Sequence, residues 1–146
     1  MTQVDFYILQ SNGGREQFAC RVAEKAYRLG YRIYLHTRDA QQAAKLDQLL
    51  WTFSQGSFVP HGIDGQSPDP KAAVLIGHTA ELQDQNHAQE RDVLINLAND
   101  IPLFFSSFKR VAEVIDQQQE NKTSGRDRYR FYRDRGYTLE NHNIKP

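Results

Sequence analysis

Between Lys122 and Gly136 the chain carries Arg126, Tyr129, Arg130 and Arg133 at i, i+3, i+4 and i+7, the spacing of one helical face. Guanidinium groups and a phenol on one stripe suggest a definite chemistry. Forked N–H donors fit a carboxylate or phosphate, and the ring supplies an apolar wall beside it. Like charges four apart, as at Arg126 and Arg130, cost an isolated helix about 0.2–0.5 kcal/mol. The stripe is therefore either the seat of an external anion or a solvated basic face relieved by Asp127 and Asp134.

Other chemistry finds few residues to carry it. The first strand-to-helix turn reads Ser11-Asn12-Gly13-Gly14-Arg15-Glu16, which is neither the dinucleotide fingerprint nor a phosphate-cradling loop ending in Lys-Ser/Thr. His36, His61, His78, His87 and His142 are scattered, with no i, i+4 pair and no Cys at ligand spacing, so no metal is expected. Ser54 and Ser57 lack a nucleophile elbow, no carboxylate pair stands out, and no cofactor or catalytic activity is expected. The single cysteine, Cys20, excludes an internal disulfide and falls inside an expected helix, where a buried thiol is the simplest reading.

A second cluster lies mid-chain. Leu49-Leu50-Trp51-Thr52-Phe53, followed by Ser57-Phe58-Val59-Pro60-His61, gathers the only Trp and two Phe residues at a helix end, a loop and a strand start. These rings either fill the core or form a partner surface, for which aromatic anchors on a Pro-stiffened backbone are suited.

The elements that must position these residues follow from pattern and composition. With 146 residues, 39% hydrophobic and 25% charged, the chain fits one α/β domain over residues 1–146. Formal net charge is zero, yet residues 122–146 hold seven Lys/Arg against three Asp/Glu. That confinement argues for one local anion site rather than the broad basic surface of a nucleic-acid binder. No window approaches the ~18 apolar residues of a membrane span, no signal-peptide pattern opens the chain, and a cytoplasmic location is expected.

Strands are expected at 4–9, 31–36, 72–77, 92–97 and 102–105, with a short apolar segment at 56–61 and a loop at 62–70. Helices are expected at about 15–29, with Phe18, Val22, Ala26 and Leu29 inward; at 39–51, capped by Asp39; at 107–116; and at 126–135. A polar link over 117–125, an irregular stretch with a possible short helix at 79–92 and a tail at 137–146 complete the reading. The strand–helix alternation predicts a mostly parallel sheet with helices on both faces.

Five ordered blocks resemble the chi subunit family of bacterial DNA polymerase III. They are Val4-Asp5-Phe6-Tyr7-Ile8-Leu9, Leu46-Asp47 with Leu50-Trp51, Ser57-Phe58-Val59-Pro60-His61, Arg91-Asp92-Val93-Leu94-Ile95-Asn96-Leu97, and Arg126 to Arg133 closing at Gly136-Tyr137. The resemblance implies a Rossmann-like three-layer fold and a non-catalytic clamp-loader adaptor with two binding faces. Trp51, Phe58, Val59, Pro60 and His61 match the face that holds the psi subunit, for which a helicase competes in some bacteria. Lys122, Arg126, Tyr129 and Arg130, with Ile115 as apolar floor, match the face that holds the acidic C-terminal tail of single-stranded DNA-binding protein, and Ile115, Leu139 and the Tyr129 ring are candidates for the slot that takes a terminal ring. Nucleic acid would then be reached only indirectly. Two other readings stay open: a direct single-strand binder stacking bases on Tyr129, Phe131 and Tyr132, and a nucleotide-dependent α/β enzyme.

Overall fold

The computed structural model describes residues 2–56, 58–64, 72–78 and 91–145. In chain order these form β1 (Gln3–Leu9), α1 (Arg15–Arg28), β2 (Ile33–His36), α2 (Ala40–Thr52), β3 (His61–Ile63), β4 (Val74–Gly77), β5 (Val93–Asn96), a 3-10 turn (Phe105–Ser107), β6 (Arg110–Ile115), α3 (Gln119–Asp134) and β7 (Thr138–Ile144). The strands make one parallel sheet in the order β3-β4-β2-β5-β6-β1-β7. Period-2 alternation divides the core into two layers. Ile33, Leu35, Val74, Ile76, Ile95 and Val114 face α1 and α2, while Val4, Phe6, Tyr34, Leu75, Leu94 and Val111 lie in the layer covered by Tyr132 of α3. The three-layer, mostly parallel architecture expected from sequence is the one observed.

Local signals account for several boundaries. The Asp39 carboxylate accepts from the Gln42 N–H at 2.8 Å and caps α2 as expected. Gly136, at φ 79, ends α3 and turns the chain into β7. Cys20 is fully buried, and burial pushes its thiol up to about 12.

β4 and β5 fall where strands were expected, but most of the chain beyond β5 departs from the sequence reading. Residues 110–115 form the strand β6, not part of a helix. Phe108, Val111, Ala112 and Ile115 have helical spacing, but a strand buried on both faces shows no polar alternation and imitates it. Residues 102–105, expected as a strand, enter the 3-10 turn instead, where the Phe105 N–H donates to the Pro102 carbonyl at 3.1 Å. The supposed link 117–125 supplies the first turns of α3, whose polar residues face solvent. The supposed tail becomes the edge strand β7, paired in parallel with β1 from Gln3↔Thr138 to Leu9↔Ile144. Gly62 and Ile63, expected in a loop, belong to β3. The remainder of that loop, 65–70, and the stretch 79–90 lie outside the described residues. In α1 the buried face is Ala19, Cys20, Ala23 and Ala26, whereas Leu29 is exposed.

Two arginines tie the sheet at its ends. Arg15 donates from Nε to the Val114 carbonyl and from Nη2 to that of Leu97, both at 3.0 Å. Arg91 donates to the carbonyls of Ile33, Ala72 and Ala73 at 2.9–3.1 Å. Both are buried, and each bonds carbonyls from two segments of the sheet, although the Ala73 carbonyl also accepts from the Ile33 N–H at 2.8 Å.

Candidate protein-interaction sites

The α3 stripe divides by depth. The Asp116 side chain accepts from the Gln118 N–H at 3.0 Å and from Asn121 Nδ2 at 2.8 Å, holding the helix start. Gly125 then brings α3 against β6. A Cβ there would stand 2.3 Å from Ile115 Cδ1, so the close approach explains a residue that helix propensity alone disfavours. Arg128 and Tyr132 point inward. Arg128 Nε donates to Glu113 Oε1 at 2.8 Å, while the Tyr132 hydroxyl and Asn96 Nδ2 donate to Glu113 Oε2 at 2.8 and 3.0 Å. Burial, and then the adjoining carboxylate, raise the Tyr132 phenol. Sequence reasoning missed this network because its acceptor sits on β6, distant in the chain.

Outside the buried knot, Lys122, Arg126 and Tyr129 border a cavity of about 190 Å³ whose floor is Phe6, Ile8 and Ile115. The Tyr129 ring meets Phe6 edge-on, with centroids 5.1 Å apart. Among the described residues neither Lys122 nor Arg126 has a carboxylate at ion-pair distance. Arg130 differs: it lies 3.6 Å from Asp127 on the helix surface, and Arg133 pairs with Asp134 at 3.3 Å. Leu139 packs half-buried in the aromatic core layer, and β7 instead presents Asn141 to the cavity. The arrangement offers cationic donors above an apolar slot.

The mid-chain motif divides in the same way. Trp51 and Phe58 are 57% and 61% exposed, with ring centroids 5.7 Å apart. Val59 is in the core. The His61 side chain is buried beneath the Trp51 ring at 4.9 Å. Its Nδ1 faces the Val59 carbonyl at 2.7 Å, and its Nε2 faces the Asp47 carbonyl at 3.1 Å. The Pro60 carbonyl accepts from the Val74 N–H at 3.0 Å, fixing the segment to β4. Val59 and His61 thus hold the backbone, while Trp51 and Phe58 present an aromatic surface.

Elsewhere, parallel pairing of β7 with β1 brings Asp5, Glu140 and His142 within 4.8 Å of one another. Arg110 Nη2 donates to Asp5 Oδ2 at 3.0 Å, and His142 stacks on Tyr7 at 4.9 Å. The trio fastens the edge strand with the Asp5 charge already met.

Comparison with known proteins agrees along the length of the chain. Residues 1–140 match the family model described as DNA polymerase III chi subunit, HolC. The DNA polymerase III subunit chi of Pseudomonas aeruginosa is 40% identical over 146 residues, covering 99% of this chain and 98% of that protein. Proteins of the same name from Haemophilus influenzae and Escherichia coli are each 30% identical, covering 95% of this chain and 95% and 96% of their own lengths. With the ordered motifs set on one parallel α/β scaffold and a match of this extent, the chain belongs to the DNA polymerase III chi subunit family.

Proposed function

We propose that this protein is a non-catalytic adaptor in the replicative DNA polymerase III assembly, joining the psi subunit to the acidic C-terminal tail of single-stranded DNA-binding protein. The observation that carries the reading is the α3 cavity, where Lys122 and Arg126 stand over Phe6, Ile8 and Ile115. An acidic peptide ending in phenylalanine is its chemical complement. The guanidinium of Arg126 takes the terminal carboxylate, the terminal ring enters the slot beside Tyr129, and Lys122 attracts upstream aspartates. Arg130, shared with Asp127, contributes a weaker and salt-screened attraction.

Trp51 and Phe58, on the Pro60-bearing segment, are assigned to psi, with a helicase as an alternative occupant. DNA is then reached through the tail-bearing protein. Burial of Tyr132 against Glu113 also removes one of the three rings a direct strand binder would need. The test is calorimetric titration of the full chain with an acidic peptide ending in Phe, with the same peptide amidated at its C-terminus, and with single-stranded oligonucleotide. Binding is expected for the free-acid peptide alone, weakening with salt. Oligonucleotide binding of equal strength would overturn the assignment.

A further inference from the structure

We infer that the flank of α3 opposite the Arg126 cavity is a preformed docking groove for a basic, amphipathic segment of a partner protein, with an apolar anchor flanked by Lys or Arg. The groove, about 770 Å³, runs between the loop after β5 and α3, and its walls include Asp100, Ile101, Leu103, Glu120, Asp127 and Phe131. At 100° per residue, Glu120, Asp127 and Phe131 fall on the helix side facing away from Lys122, Arg126 and Tyr129.

The groove is held open from beneath. Arg128 Nη1 donates to the Asn99 carbonyl at 3.1 Å, Ser124 Oγ donates to the same oxygen at 3.0 Å, and Asn96 Nδ2 donates to the Asp100 carbonyl at 3.1 Å. These bonds fix the loop to α3 and to β5, so an occupant meets walls already in place and little ordering cost remains on this side. On that fixed loop Leu103 stands 81% exposed.

Charge selects the occupant. Among the described residues Asp100 and Glu120 have no cation at ion-pair distance, Asp127 shares its charge with Arg130 at 3.6 Å, and the Arg128 cation in the groove wall is committed to Glu113 at 2.8 Å. The Arg135 guanidinium lies 3.6 Å over the Phe131 ring, so that ring face is already covered by a cation of this chain. The carboxylate rim of Asp100 and Glu120 repels nucleic acid and acidic tails while attracting Lys and Arg, and Ile101 and Leu103 with the remaining Phe131 edge accept one apolar side chain.

The test uses the full chain, isotopically labelled, and a short acetylated and amidated peptide, Lys-Arg-Leu-Leu-Lys-Phe-Leu-Lys. Amide shifts are expected at Ile101, Leu103, Glu120 and Phe131. Glu120→Lys and Leu103→Ser, both at exposed positions, should each weaken the peptide roughly tenfold with unchanged circular dichroism. Equal binding of a peptide with Glu in place of its Lys and Arg would overturn the inference, as would undiminished binding by both variants or shifts confined to other faces. Concentration-dependent shifts of the groove in the chain alone would assign it to a second copy and would likewise overturn it.

Discussion

As proposed binding faces, the α3 cavity and the Trp51–Phe58 surface are built by opposite means. Around Trp51 the contact residues are apolar and exposed, and the fasteners beneath them are a buried Val and a His wedged between oxygen atoms. On α3 the contact residues are cations, and the fasteners are another cation, Arg128, with a phenol, both bound to the fully buried Glu113. Neighbouring arginines of one motif therefore do unrelated work. Arg128 secures the helix, Arg126 stands open at the cavity, and Arg130 and Arg133 rest against their own helix's aspartates. Residue type says little about which role applies; depth and partner decide it.

Replacing the two neighbouring arginines one at a time separates the roles most strongly. Arg128→Ala leaves the buried Glu113 carboxylate without its counter-charge, held only by Tyr132 and Asn96, and should cost about 3 kcal/mol of stability, whereas Arg126→Ala should change it by less than about 0.5 kcal/mol. Urea denaturation checks both. In return, Arg126→Ala should weaken tail-peptide binding by roughly one to two decades, and an unaltered affinity at moderate salt would end the carboxylate assignment.

Acidification probes the frame that carries both surfaces. Burial, and secondarily the charge of His78, lower the His36 imidazole from 6.5 to about 4. The unfolded chain therefore binds the proton first, so this contribution to stability is complete above pH 6.5 and is lost as pH falls toward 4. The slope should reach at most about 1.4 kcal/mol per pH unit across that window, and His36→Leu should flatten it.

At the aromatic face the same contrast has a smaller range. Val59→Ala should cost about 2 kcal/mol of stability. Phe58→Ala should leave circular dichroism unchanged while removing at least about 2 kcal/mol of binding to psi. Loss of structure in the Phe58 variant would make that ring part of the fold. The smallest effect is expected at Gly125→Ala. The new methyl presses the flexible Cδ1 of Ile115 toward the cavity, so tail affinity should fall several-fold while stability shifts by no more than about 1 kcal/mol.

Legibility varied along the chain for physical reasons. The first half was readable because β1, α1, β2 and α2 are punctuated by Gly and an Asp cap and change period at each boundary. β4 and β5 were readable too, as short apolar runs, but the chain beyond β5 was not, since β6 is buried on both faces and its Val111, Ala112 and Ile115 mimic a helix. β7 offers almost no apolar alternation because it lies at a sheet edge. That error concealed Asn141 and the Asp5–His142 contact, which exist only once β7 lies beside β1.

Local sequence carried the parallel α/β class, the cap of α2, the two clusters of residues suited to recognition, and a family resemblance that whole-chain comparison then established. These are properties of local spacing, and local spacing survives in a linear string. Folding in three dimensions sets which arginine is buried, which aromatic rings reach solvent, and that Ile115 of β6 lies under Gly125 of α3 as the floor of a cavity. Each of those depends on contacts between strands and helices far apart in the chain, and on the low-dielectric interior that makes a charge such as Glu113 require its partners.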